Sequence, residues 1–225
     1  KRHRIPVTVR VTINRNNLED LPGVTRFLLV DLGLPGFSTN SADFMGVCRS
    51  QAQRVQLTVA ERSQAMQIMW ELQEQYPGRI QALAGPLFEA WEWLKITQAH
   101  REGREPGNGK GHLVSCGGVF SKLAVRADGI MVPCAHLCHL ELGRINQDDL
   151  GEVWQHHPEL IRLRERRRIP LSDFSFCEGC EYLPYCAGGC PAVAYTRFGQ
   201  EDHPNPDNCL KRFLENGGRL PDVHS

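Results

Sequence analysis

The chain is 225 residues long, enough for one large or two modest domains with a real core. Its 26 basic and 26 acidic side chains cancel, so composition does not select nucleic acid or an anionic membrane as a partner. The apolar runs, such as Phe27 to Val30, are far too short to span a bilayer, and Lys1-Arg2-His3-Arg4 does not open a signal peptide.

Ile5 to Ile13 alternates apolar and polar residues and is rich in β-branched ones, which predicts a strand. There is no initiator Met and the segment already reads as sheet interior, so more sequence is expected upstream of Lys1. A helix is predicted over Leu21 to Leu32, with Pro22 in its first turn and Val24, Phe27, Leu28 and Leu32 on its inner face. Gly33 and Pro35-Gly36 end it, and Phe37 to Asn40 is the next candidate strand. Thr58-Val-Ala-Glu61 has capping-box spacing, and the helix after it buries Ala65, Met69, Leu72 and Tyr76 until Pro77-Gly78 stops it. Arg79 to Ala84 is a third short strand, and Leu87 to His100 a further helix. Trp91 and Trp93 lie two apart on that helix and cannot share a face, so one of them is core.

Strand–helix–strand–helix–strand is the pattern of parallel α/β units. Four glycines and a proline within Gly103 to Gly111 mark a linker between residues 1–102 and a second domain, 112–217, followed by a tail at 218–225. In that second part Asp128-Gly129 predicts a hairpin with a two-residue type I′ turn, flanked by Phe120 to Arg126 and Ile130 to Pro133. That register sets Leu123 opposite Cys134. Leu150 to His157 and Pro158 to Arg168 read as two helical pieces broken at Pro158, with Arg162, Arg164 and Arg166 to Arg168 forming a solvated basic face.

The chemistry lies in the cysteines. Seven of the nine fall in one pattern: Cys116, twelve residues, Gly129, four residues, Cys134, then Cys177-x2-Cys180-x5-Cys186-x3-Cys190, and finally Cys209. Short Cys-x2-Cys and Cys-x3-Cys steps bring several thiolates around one small volume, as a metal or an iron–sulfur cluster requires. An odd cysteine count and no secretory signal argue against a disulfide framework and for a reducing, cytoplasmic setting. Zinc is one reading, with Cys177, Cys180, Cys186 and Cys190 forming a closed four-thiolate site in a structural module. Iron–sulfur is the favoured one. Two four-iron clusters want eight ligands and the motif supplies seven, while Gly188-Gly189 lets backbone pass close to a bulky cluster.

This pattern, with Asp128-Gly129…Pro133-Cys134 and Gly188-Gly189-Cys190-Pro191-Ala192, resembles the SPASM domain over roughly Gly111 to Leu214. That domain is the C-terminal extension of a group of radical S-adenosylmethionine enzymes. Residues before the linker resemble the last part of the partial (β/α)6 barrel preceding it. The implied fold is thus α/β, then a small, loop-rich α+β iron–sulfur domain with a β-hairpin.

The resemblance implies two auxiliary [4Fe–4S] clusters. Cys177, Cys180, Cys186 and Cys209 would hold the outer one. Cys116, Cys134 and Cys190 would hold the inner one, its fourth position open or filled by Cys138. Cys138 reads equally well as a packed thiol, and Cys48 as an ordinary thiol. The Cys-x3-Cys-x2-Cys loop that binds S-adenosylmethionine and a third cluster in such enzymes is absent from these residues, so this chain alone is not expected to cleave that cofactor. Ala135 stands where some relatives carry an acidic base, and His136 and His139 read as hydrogen-bonding neighbours, so no catalytic residue is assigned. The expected partners are a peptide or small-molecule substrate and a ferredoxin- or flavodoxin-type reductant. A non-enzymatic electron carrier or scaffold is the rival reading.

Overall fold

The computed structural model describes residues 7–114 and 119–223. The chain divides into two compact units, Lys1–Gln98 with Leu210–Ser225, and Ala99–Cys209.

The first unit is built on a parallel three-stranded sheet. β1 (Arg10–Ile13), β2 (Phe37–Ser41) and β3 (Ile80–Gln81) lie in the order β1-β2-β3, with Arg10 beside Ser38 and Phe37 beside Ile80. The parallel α/β arrangement expected from the pattern is therefore present. β1 starts at Arg10 rather than Ile5, residues 7–9 being outside the strand and Ile5 and Pro6 outside the described residues, and β3 stops two residues into the segment expected.

α1 (Leu21–Arg26) runs into a π-helical turn over Phe27–Asp31, where the Leu32 N–H reaches back to the Phe27 carbonyl. Leu21, Thr25, Leu28 and Leu29 are buried, whereas Phe27 and Leu32 are about half exposed. The predicted face was thus rotated. Leu21, Thr25 and Leu28 follow the i, i+4, i+7 rule, and the wider π turn brings Leu29 in beside them. A short helix α2 (Ala52–Val55) precedes α3 (Val59–Gln75).

The capping box at the start of α3 forms as the spacing dictates. Thr58 Oγ1 accepts from the Glu61 N–H at 3.3 Å, and Glu61 Oε2 accepts from the Thr58 N–H at 2.7 Å. Burial works to raise the Glu61 pKa, but the Thr58 hydrogen bonds and Arg15 outweigh it and hold the carboxyl below its usual range. Thr58→Ala is expected to cost about 1 kcal/mol by urea denaturation, the usual loss of an N-cap side chain; no change would mean that the box contributes nothing here.

α3 places Ala65, Met69 and Leu72 in one core with Ile13, Phe37 and Ile80 of the sheet and with Leu87. α4 (Pro86–Arg101) buries Trp93 and leaves Trp91 41% exposed, as the two-residue offset requires.

The second unit opens with a loop-rich stretch, then a three-stranded antiparallel sheet of β4 (Ala124–Val125), β5 (Ile130–Val132) and β6 (Gly143–Arg144). α5 (Leu150–His156) and α6 (Pro158–Glu165) follow, broken at Pro158 as expected, with Asp149 and His157 capping their starts. α7 (Pro191–Phe198) starts directly after Cys190, with Pro191 in its first turn, and ends at Gly199 in a left-handed conformation (φ 75°).

The last helix, α8 (Leu210–Glu215), belongs to the first unit. Its Phe213 ring lies 4.8 Å from Trp93, and the Arg62 guanidinium sits over both rings. Beyond it, the Arg219 N–H donates to Ser63 Oγ and the Asp222 N–H to Gln67 Oε1. Residues 210–222 therefore pack on α3 and α4. The contacts that tie residues 210–222 to the first unit come from residues more than a hundred positions away in sequence.

Candidate metal centre

The hairpin exists, but its loop is one residue longer than expected. Ala124 pairs with Val132 and Val125 with Met131, leaving Ala127 to Gly129 as a three-residue loop. The Gly129 N–H donates to the Arg126 carbonyl at 2.9 Å and the Arg126 N–H to the Ile130 carbonyl at 2.8 Å. Gly129 takes φ +86°, the left-handed residue that closes a type I turn with a bulge. The register moves by one, so Leu123 does not stand opposite Cys134. β6 locks this pairing through Ile130–Arg144 and Met131–Gly143, and Arg126 is held by Asp128, Glu141 and the Cys138 carbonyl.

Eight cysteines are described, and none of them is in a disulfide. Cys48 lies in the first unit. Cys134, Cys138, Cys177, Cys180, Cys186, Cys190 and Cys209 all lie in the second. Cys116 lies outside the described residues. The segment leading to it is pinned beside the Cys186 loop, since the Gly111 N–H donates to the Cys186 carbonyl and the Val114 N–H to the Ala187 carbonyl. The other edge of that segment pairs with Ile169 to Leu171.

Cys177 and Cys180 line one open depression of about 560 Å³ with Phe174, Gly179 and Leu183. Cys186 is close enough to Cys180 for the two sulfurs to interact electrostatically. Burial pushes the Cys186 thiol up and Cys180 adds to this, while hydrogen bonds from the Gly188 and Ala187 N–H groups and the charge of Lys110 oppose it. The Gly188 N–H stands 3.4 Å from Cys186 Sγ.

The two loop glycines are required by both conformation and space. Gly188 and Gly189 have φ of +71° and +79°, and a Cβ on either would fall 2.6 Å from Leu113 or 2.7 Å from Asn205. The Asn205 N–H donates to the Gly188 carbonyl at 2.7 Å, tying this loop to the segment that ends at Cys209. Phe174, Phe176 and Phe198 surround the His203 ring and fix the start of the Cys177 loop.

Cys134 and Cys138 sit on the loop after β5, with Cys138 exposed. That loop is docked on α7 by His139, whose ring stacks on Tyr195 at 3.7 Å and whose Nε2 is 2.7 Å from Glu201 Oε1. His139 is thus a hydrogen-bonding neighbour, as expected. Cys190, at the start of α7, is brought to the same part of the unit. Peptide dipoles at such a helix start favour negative charge.

The donor set suits a thiolate-held group, and the Gly188-Gly189 cradle leaves room that side chains would fill. Among the described residues, however, no group of three or more His, Cys, Asp or Glu side chains already stands in metal-holding geometry. The loops that carry the described cysteines from Cys134 to Cys209 lie in one compact unit.

The arginine run departs from expectation. Arg166 is fully buried and Arg162 and Arg164 partly so; Arg167 and Arg168 are exposed. Arg164 donates to the Val119 carbonyl and lies over the Trp154 ring. Arg162 pairs with Glu159, Glu201 and Asp202. Acids some forty residues downstream draw the run inward, and no local pattern reports them.

Residues 116–181 match the family model SPASM, an iron-sulfur cluster-binding domain. This segment resembles a SPASM domain. The match takes in Cys116, Cys134, Cys177 and Cys180, while Cys186, Cys190 and Cys209 follow it in the same compact unit. No curated protein matches the chain. Among solved structures it is similar to "Native anSMEcpe with bound AdoMet", with a TM-score of 0.53 and 14% identity over 96% of this chain and 56% of that one. At that identity the likeness is one of fold, and the chain spans little more than half of that structure's length. Among the described residues, no helix is long and apolar enough to cross a membrane.

Proposed function

We propose that this chain is the cluster-bearing C-terminal portion of a radical S-adenosylmethionine/SPASM enzyme that oxidatively modifies a peptide or similar small substrate in a reducing cytoplasm. The observation that carries this reading is the gathering of the six described motif cysteines into one compact unit around a SPASM match. Cys177, Cys180, Cys186 and Cys209 would hold an outer [4Fe–4S] cluster. Cys116, Cys134 and Cys190 would hold an inner one, with Cys138 as candidate fourth ligand. Such clusters supply one-electron transfer at potentials set by charge, hydrogen bonds and burial.

The chain's own part is to hold, insulate and orient. The Gly188 N–H donates to the sulfur of Cys186, a bond of the kind that would tune a cluster held there. Burial of Cys186 favours the neutral thiol, so this residue would have to give up its proton to serve as a ligand, because coordinated thiolates are deprotonated. The first unit would contribute the last strands and helices of a partial (β/α)6 barrel. S-adenosylmethionine, its own cluster and a ferredoxin- or flavodoxin-type reductant would belong to the full-length enzyme.

These 225 residues carry no Cys-x3-Cys-x2-Cys loop, which favours a second reading as an electron carrier or scaffold. A Cys-x3-Cys-x2-Cys loop in the coding sequence upstream of Lys1 would decide for the enzyme. The direct test is iron, sulfide and zinc content after anaerobic reconstitution, with low-temperature electron paramagnetic resonance of the reduced protein. About eight irons and eight sulfides per chain are expected, as two four-iron clusters require. About one zinc without sulfide would replace this reading by a structural zinc module.

A further inference from the structure

We propose that Arg166 is a potential-setting residue, a fixed positive charge beside the cluster that Cys190 would help to hold. The inference rests on the reading of Cys190 as a cluster ligand and goes beyond it in naming what governs that cluster's electron affinity.

Arg166 is 0% exposed, the only charged side chain among the described residues that is fully buried. Its Nε donates to Asp202 Oδ1 at 3.0 Å and its Nη2 to the Glu201 carbonyl at 2.8 Å. Those two bonds clamp it to the chain that walls the Cys186–Cys190 loop. Three residues on, Asn205 donates to the Gly188 carbonyl and touches Gly189. The guanidinium also lies within Coulombic reach of Cys190 itself. Nearby charges are arranged to hold it there: Arg162 bridges Glu159, Glu201 and Asp202, and His139 meets the other Glu201 oxygen.

A buried ion pair is a poor device for stability alone, since well-packed apolar residues of similar size often serve as well or better. Its field is another matter. A four-iron cluster held by three or four thiolates is anionic, and reduction adds one more electron from an external low-potential donor without breaking a bond. A fixed cation in a low-dielectric surround stabilises the reduced form more than the oxidised one and raises the potential.

The test is a dithionite titration of the reconstituted protein followed by electron paramagnetic resonance, with iron content measured in parallel. Arg166→Met is expected to lower the potential of one cluster and leave the other unmoved. The expected change is about tenfold in its reduced-to-oxidised ratio at fixed solution potential, about 59 mV for one electron. Arg166→Lys, which keeps the charge, is expected to shift it far less. Asp202→Asn removes a neutralising anion and is expected to shift the same cluster the opposite way. If Arg166→Met fails to retain iron, the Lys and Asp202 variants decide.

Unchanged potentials with full iron content, or equal shifts of both clusters, overturn the inference and leave the reading of the ligands intact. Failure of the unsubstituted protein to assemble any iron–sulfur cluster overturns both.

Discussion

Replacing Cys186 by Ser is expected to cut the reconstituted iron from about eight to about four per chain, with one of two paramagnetic signals lost. Of the four proposed outer ligands, Cys186 has surroundings that fix its loop at several points. Its carbonyl holds the strand-like segment at Gly111, its sulfur faces the Gly188 N–H, and the glycines after it allow the loop to close on Leu113 and Asn205. A serine hydroxyl keeps the shape of the side chain but stays protonated near neutral pH, so it is a weak ligand where a thiolate is wanted. Cys48→Ser, in the first unit, is the control and should keep all of its iron. Full iron in Cys186→Ser, or equal loss in both variants, would sink the assignment of the outer site. Cys138→Ser addresses the inner site in the same assay: the inner signal changes if Cys138 is its fourth ligand and stays if the position is open.

Trp93→Ala is expected to destabilise the first unit by about 3–5 kcal/mol, the usual cost of truncating a large buried aromatic. Trp93 is 2% exposed and links three elements. It packs on the Phe213 ring of α8, lies under the Arg62 guanidinium at 4.7 Å, and Arg62 is tied in turn to Glu89. Gly218 closes the far side so tightly that a Cβ there would meet the Phe213 ring at 2.6 Å. Losing the indole therefore removes buried area and loosens α8 as well. Trp91, two residues earlier and 41% exposed, is the contrast. Its contact with Lys95 is a surface one, and Trp91→Ala is expected to cost about 1 kcal/mol or less. Urea denaturation of both variants checks this, and equal losses would show that burial does not separate the two rings.

By itself, the sequence determined what depends on near neighbours and on ligand chemistry. The α3 capping box is closed by two residues three apart, so Thr58 and Glu61 announced it. The Trp91/Trp93 offset, the break at Pro158 and the parallel α/β order follow from local geometry and periodicity. The cysteine spacing pointed to a thiolate-held metal group, and residues 116–181 match an iron-sulfur cluster-binding family model.

Tertiary structure decided what depends on partners distant in the chain. The hairpin took a three-residue loop although Asp128-Gly129 suits a two-residue one, because β6 and the Arg126 and Arg144 side chains hold the shifted register. The first helix turned its face inward differently because a π turn re-phased it against the sheet. α8 joined the first unit because Trp93 and Arg62 offered it a place that no pattern near residue 210 describes. Arg166, read from its neighbours as one of a solvated basic run, was drawn into the interior by Asp202 and the Glu201 carbonyl. A side chain's charge is legible in sequence; the field it acts in is made by whatever folds around it.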